Sequence, residues 1–166
     1  LLGALMAWVV LKAAKLLFPR RYAWMFTALV VFLPGNVILY SYVNCDALAM
    51  CSTAIIFYSW VKAYKEGWNW TTCAVSAIGM GLCFLSYYNA YGFILTTFFF
   101  FVGTMLTDQE KAPKERWKEM IQKGLFILVI VCVIALWWFI RNAILYHGDF
   151  LGRETSSACA ELYARA

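Results

Sequence analysis

Between Lys123 and Arg141 the chain runs through "LFILVIVCVIALWWFI", sixteen residues without a charge. As a helix rising about 1.5 Å per residue, this run covers roughly 24 Å, close to the hydrocarbon thickness of a bilayer. Either a protein interior or lipid must surround it. A chain of 166 residues with 64% hydrophobic and 14% charged residues lacks the polar surface to wrap such a helix. Soluble domains of this size carry about a quarter charged residues. The reading is an all-α, polytopic transmembrane bundle.

Other apolar runs alternate with short charged segments, so several spans joined by loops fit better than one anchor on a soluble domain. Six spans of about the required length are expected: Leu1 to about Leu17, Tyr22 to Tyr40 with an interruption at Pro34 and Gly35, Ala47 to Val61, Trp70 to Leu85, Tyr91 to Leu106, and Gly124 to Ile140. Together they make a single transmembrane domain over residues 1–166. The chain opens on an apolar run at Leu1, without an initiator methionine or the basic leader of a signal peptide, and reads as a piece of a longer protein.

The net charge of +5 is informative through its distribution. Lys12, Lys15, Arg20 and Arg21 fall in the first inter-helix segment, Lys62 and Lys65 in the third, and Lys111, Lys114, Arg116, Lys118 and Lys123 in the fifth. The intervening segments and the tail hold only Arg141, Arg153 and Arg165. Short cytoplasmic loops are enriched in Lys and Arg, so the basic segments are expected inside. The remaining turns and the tail, residues 141–166, are then extracytoplasmic in a multi-pass inner or plasma membrane protein. Nothing in the basic residues has nucleic-acid patterning.

Of six cysteines none forms a CxxC pair, and Cys45, Cys51, Cys73, Cys83 and Cys132 sit in or beside apolar runs. They read as free buried thiols, with Cys159 alone exposed. The segment "TDQEKAPKERWKEMIQKG" is either a juxtamembrane helix, started by Pro113 and supported by a Glu119–Lys123 pair, or a solvated linker. As a helix it would let Trp117, Met120 and Ile121 enter the interface while its lysines meet anionic headgroups. Ala77, Gly79 and Gly81 make a small-residue face suited to close helix packing. "TTFFFFVG" reads as lipid-facing or core bulk, and the acceptor pattern at Asn69 falls on the inner side.

Polar groups outside the basic loops are the functional candidates, because they are costly at a membrane boundary unless used. They are Asn36, Tyr40, Tyr42, Asn44 and Asp46 before the third span, Tyr87, Tyr88, Asn89 and Tyr91 before the fifth, and Arg141, Asn142, Tyr146, His147 and Asp149 after the sixth. Asp46 reads either as the cap of the third helix or as a wall of a polar pocket. Arg141 suits either a snorkelling anchor or a phosphate contact through its planar fork. His147 and Asp149, with Asp46, could make a small site for a divalent metal, a reading outweighed by an ordinary turn with an incidental histidine.

"LPGNVILYSYVNCDALAM" and "WWFIRNAILYHGDFLG", with "AIGMGLCFLSYYNAYGFILTTFFFF" between them, resemble segments of bacterial multi-span proteins of the GT-C glycosyltransferase superfamily, in order and at comparable spacing. The likeness is to protein-mannosyltransferase-type enzymes of the cell envelope that use polyprenyl-phosphate-linked sugars. It covers about Arg21 to Gly152. It departs where that family has a lysine before the fifth span, here "SYYN", and a proline after the sixth-span aspartate, here Phe150.

The resemblance implies transfer of a sugar from a polyprenyl-phosphate donor to an extracytoplasmic acceptor, with inversion. It implies site residues Asn44, Asp46, Arg141, Asn142 and Asp149, with Arg141 toward lipid phosphate, Asn44 and Asp46 toward sugar or acceptor, and Asp46 as possible catalytic support. It also implies that the main general base lies in an external loop upstream of Leu1. A transporter or lipid flippase, and a structural membrane subunit, are the rival readings. A transporter calls for ionisable groups near the midplane, whereas these sequences place them at span ends.

Overall fold

The structure is a computed structural model that describes residues 1–42, 44–86, 88–107, 112–149, 151 and 153–164. Tyr87, Lys111, Phe150 and Arg165, which figure in the sequence reading, lie outside the described residues. Among the described residues eight α-helices follow one another: α1 (Leu2–Leu17), α2 (Arg20–Val31), α3 (Pro34–Ser41), α4 (Cys45–Glu66), α5 (Trp70–Phe84), α6 (Tyr91–Thr107), α7 (Pro113–Leu145) and α8 (Arg153–Ala164), with a 3₁₀ turn at Tyr88–Ala90 before α6. The all-α membrane class expected from the apolar runs is what is seen.

Three helices, α4, the stretch ending in α6, and α7, are long and apolar enough to cross a bilayer unaided. The α2–α3 pair makes a fourth if it is one broken span, bent by 61°. Helix length and composition therefore support three or four crossings where six were expected, since α1 and α5 have only 16 and 15 residues. The bend comes where the sequence interrupts the second span. Pro34 cannot continue a hydrogen-bonded helix and instead starts a new one. The buried Asn36 amide donates to the Val30 carbonyl at 2.7 Å, satisfying an acceptor that the break exposes.

Helix α4 runs beyond the expected Val61 and stops at Gly67, whose φ of 76° and ψ of 175° suit a residue without Cβ. Asn69 then caps α5, its side-chain oxygen accepting from the Thr72 amide at 2.8 Å. Helix α7 starts at Pro113 and continues unbroken for 33 residues, roughly 50 Å. The charged segment before the last span is thus the first part of the spanning helix, and Lys123 and Glu119 pair on it as expected.

Packing runs from α2 through α1, α4 and α5 to α7, with α6 alongside the last three. Lipid offers no hydrophobic reward for helix association, so close packing has to come from small residues and interhelical hydrogen bonds. Gly79 lies so near α4 that a Cβ there would meet Ile56 Cγ1 at 2.9 Å, and one at Gly81 would meet Ile134 of α7 at 2.9 Å. Ala77 is fully buried between them. The small-residue face of α5 therefore receives a helix on either side. Two indoles add polar fasteners, Trp60 Nε1 donating to Thr97 Oγ1 at 3.0 Å and Trp68 Nε1 to Thr104 Oγ1 at 2.8 Å. On the opposite face of α7, Leu125, Val129, Val133 and Ile140 are exposed, as a lipid-facing surface should be.

Cys51, Cys73 and Cys83 are buried and free, and Cys132 is partly buried. Cys45 is exposed, contrary to the expectation that Cys159 alone would be. It occupies the first position of α4, ahead of the part that packs against α1 and α5.

Candidate functional site

The two ends of the bundle differ in chemistry. Gly3 abuts Tyr40, and the Tyr40 hydroxyl donates to the Met6 sulfur at 2.8 Å, so the start of α1 lies beside the end of α3 and the start of α4. The C-terminal ends of α1 and α4 therefore share the other end, with Lys12, Lys15, Lys62 and Lys65. The Trp68–Thr104 bond and the edge-to-face pair of Trp70 and Phe126 bring the end of α6 and the first part of α7 to that same end. There the Arg116 guanidinium donates to the Leu106 carbonyl at 2.6 Å, closing the C-terminus of α6. Every basic segment among the described residues is thus gathered at one end.

The opposite, polar end carries the site candidates. Asn44, and not Asp46, is the cap of α4: its Oδ1 accepts from the Ala47 amide at 2.7 Å, and its Nδ2 donates to the Leu39 carbonyl at 2.8 Å. Asp46 stands in the first turn, half-buried, where its carboxylate suits the helix dipole. Asn44 joins α3 to α4, and Asn44→Ala is expected to cost about 1 kcal/mol of stability. Asn44→Asp keeps the cap, loses the donor to Leu39, and should melt between the two in a detergent-solubilised thermal scan.

Arg141 and Asn142 are neighbours on α7 with different surroundings. Arg141 is exposed, its guanidinium 5.2 Å from the Trp138 ring centroid, in an open apolar depression with Trp137, Ile140, Ile144 and Leu145. Asn142 is only 8% exposed, and its Oδ1 finds no hydrogen-bond donor among the described residues. An orphan amide oxygen in this setting is costly unless a partner reaches it.

Past Leu145 the chain reverses through His147 at φ 50° and Gly148 at φ 101°. The Asp149 amide donates to the Tyr146 carbonyl at 3.0 Å, and its Oδ2 accepts from the Glu154 amide at 3.1 Å, tying the turn to α8. The Tyr88 hydroxyl donates to the Leu151 carbonyl, which holds this turn against the entry to α6.

Arg141, Asn142 and Asp149 thus lie within one helix end and its turn. Asn44 and Asp46 share the polar end but belong to α4, and α5 lies between α4 and α7. Among the described residues no hydrogen bond or ion pair joins Asn44 or Asp46 to Arg141 or Asn142. His147, Asp149 and Asp46 do not converge either: among the described residues no group of three His, Cys, Asp or Glu side chains could hold a metal ion. Sequence reasoning missed the structural roles of Asn36 and Asn44, which depend on carbonyls freed by the α2 and α3 ends. It also missed the fold-back of Leu151, which no local pattern signals.

The sequence pattern of the family described as dolichyl-phosphate-mannose-protein mannosyltransferase matches residues 1–139. The chain belongs to that family. With its apolar helices this makes it a multi-pass membrane protein of the GT-C glycosyltransferase kind, a setting that goes with a lipid-linked sugar donor. The match takes in Asn44 and Asp46 and stops two residues short of Arg141. No curated protein and no solved structure matches the chain.

Proposed function

We propose that this chain is part of an enzyme that moves a sugar from a polyprenyl-phosphate-linked donor to an extracytoplasmic acceptor, with the polar end of the bundle facing outward and residues 1–166 forming one transmembrane domain. In the transfer, an acceptor oxygen attacks the anomeric carbon, the bond from that carbon to phosphate oxygen breaks, and polyprenyl phosphate leaves. The leaving phosphate needs a cation at headgroup depth.

The observation that carries this reading is the placement of Arg141. It ends an uncharged helical run, stays exposed, and is steadied by the Trp138 ring, so its fork is available to phosphate. Asn142 beside it has an amide oxygen without a donor among the described residues, open to a substrate hydroxyl, and Asp149 holds the following turn. Asn44 and Asp46, on the far side of α5, are assigned to the sugar or acceptor side, with Asp46 as support to a base supplied elsewhere.

In the full-length, membrane-embedded protein, Arg141→Ala should raise the donor KM by roughly tenfold to a hundredfold, the worth of one charged hydrogen-bonding partner. Arg141→Lys should recover part of it, since a point charge replaces a fork. Donor affinity equal to wild type in a folded Arg141→Ala protein would remove the assignment.

A further inference from the structure

Helix α6 stands off from α7, and between them, floored by α5, opens a cleft of about 480 Å³. Phe98, Phe101 and Val102 line it from α6 and Met120, Gly124 and Leu128 from α7. Thr97 Oγ1 is the single side-chain oxygen on its wall, and it is already engaged, accepting from Trp60 and donating to the Phe93 carbonyl. A polar ligand would find no partner here. Phe98 and Leu128 on the rim are exposed, so the cleft is open toward lipid.

The cleft has the length of one leaflet. From Met120 to Val131 α7 rises about 17 Å, close to half of a hydrocarbon core of about 30 Å. A smaller cavity of about 290 Å³, sharing Phe84, Leu128 and Val131, continues toward the polar end and is closed there by Leu151.

The face of α7 that lines the cleft also continues in the other direction. Val131, Leu128, Gly124, Ile121, Trp117 and Lys114 follow one another at alternating steps of three and four, which keeps them on one side of a helix. Lys118 is one turn from Lys114 on its flank. Lys114, Trp117 and Lys118 are exposed just beyond the cleft at the basic end. Apolar walls, leaflet length and a pair of lysines with an indole at the mouth are the complement of a phosphate headgroup with one acyl chain.

We infer that the α6–α7 cleft binds an anionic phospholipid of the leaflet at the basic end, one chain against Gly124 and Leu128 and the headgroup on Lys114 and Lys118. This site is separate from the donor site proposed at Arg141, which lies at the other end of α7.

The test is native mass spectrometry of the whole protein released from nanodiscs made of equal parts phosphatidylglycerol and phosphatidylcholine. One phosphatidylglycerol should remain bound, enriched roughly tenfold over phosphatidylcholine. A Cβ on Gly124 meets only Phe101, at 3.7 Å, so Gly124→Leu grows into the cleft and should abolish retention of either lipid. Lys114→Gln with Lys118→Gln should leave a lipid bound while erasing the enrichment.

Unchanged enrichment in the lysine variant, or retained phosphatidylglycerol in a Gly124→Leu protein with a wild-type circular-dichroism spectrum, overturns the site. Displacement of phosphatidylglycerol from wild type by added polyprenyl phosphate overturns the assigned occupant. Should Gly124→Leu fail to fold, the lysine pair decides, because both side chains are exposed and uninvolved in packing.

Discussion

Trp68→Ala is expected to lower the melting temperature of the detergent-solubilised protein by roughly 10 °C. Trp68 sits in the three-residue turn between α4 and α5 and is 5% exposed. Its ring meets Phe101 edge-to-face at 4.9 Å and Phe100 at 6.1 Å, while its N–H is held by Thr104. One side chain thus fastens the α4–α5 hairpin to the end of α6.

Removing a buried indole leaves a cavity and costs about 3–5 kcal/mol, which for a chain of this size converts to the shift stated. Trp68→Phe retains most of the ring contact and forfeits the hydrogen bond, about 1 kcal/mol. The Thr104 hydroxyl keeps its own bond to the Phe100 carbonyl at 2.6 Å, so Thr104→Val combined with Trp68→Phe should cost little more than either alone. A Trp68→Ala protein melting with wild type would show that this turn is not packed as described.

Gly79→Val should be nearly as damaging, for the opposite physical reason. Its Cβ alone would come within 3.1 Å of the Ile56 backbone nitrogen, and backbone cannot rotate out of the way as a side chain can. The α4–α5 hairpin has to open to admit the branched side chain, at a cost of about 3 kcal/mol. Gly103 in α6 provides the control, since nothing lies within 4 Å of a Cβ there. Gly103→Ala should stabilise by about 0.5–1 kcal/mol through helix propensity. Equal melting temperatures for the two glycine variants would contradict the close approach of α4 and α5.

Much of this fold is legible in the residues because membrane helices obey few rules. Uncharged runs mark where helices must be, Pro34 where one breaks, Pro113 where one starts, and Ala77, Gly79 and Gly81 which face receives neighbours. What stays hidden depends on meetings between distant groups. Asn44 and Asp46 are both good caps by chemistry, and the choice between them is made by the Leu39 carbonyl at the end of another helix. The number of crossings is likewise not a property of apolar length alone, since 15 or 16 residues suffice only with tilt or a thinned bilayer.

The candidate site was legible in part. The helix end that presents Arg141 follows from counting residues, whereas the burial of Asn142 one position later depends on tertiary packing. The cleft beside α6, walled by Phe98 and Phe101 of α6 and Phe84 of α5, depends on how three helices meet, which periodicity does not reveal.

Helix α7 has no glycine–proline break, bend or cap between Pro113 and Leu145. It is one helix longer than the bilayer is thick, and it meets α5 closely where Ile134 lies against Gly81. A single piece of backbone thus ties the basic face of the membrane to the face that carries Arg141.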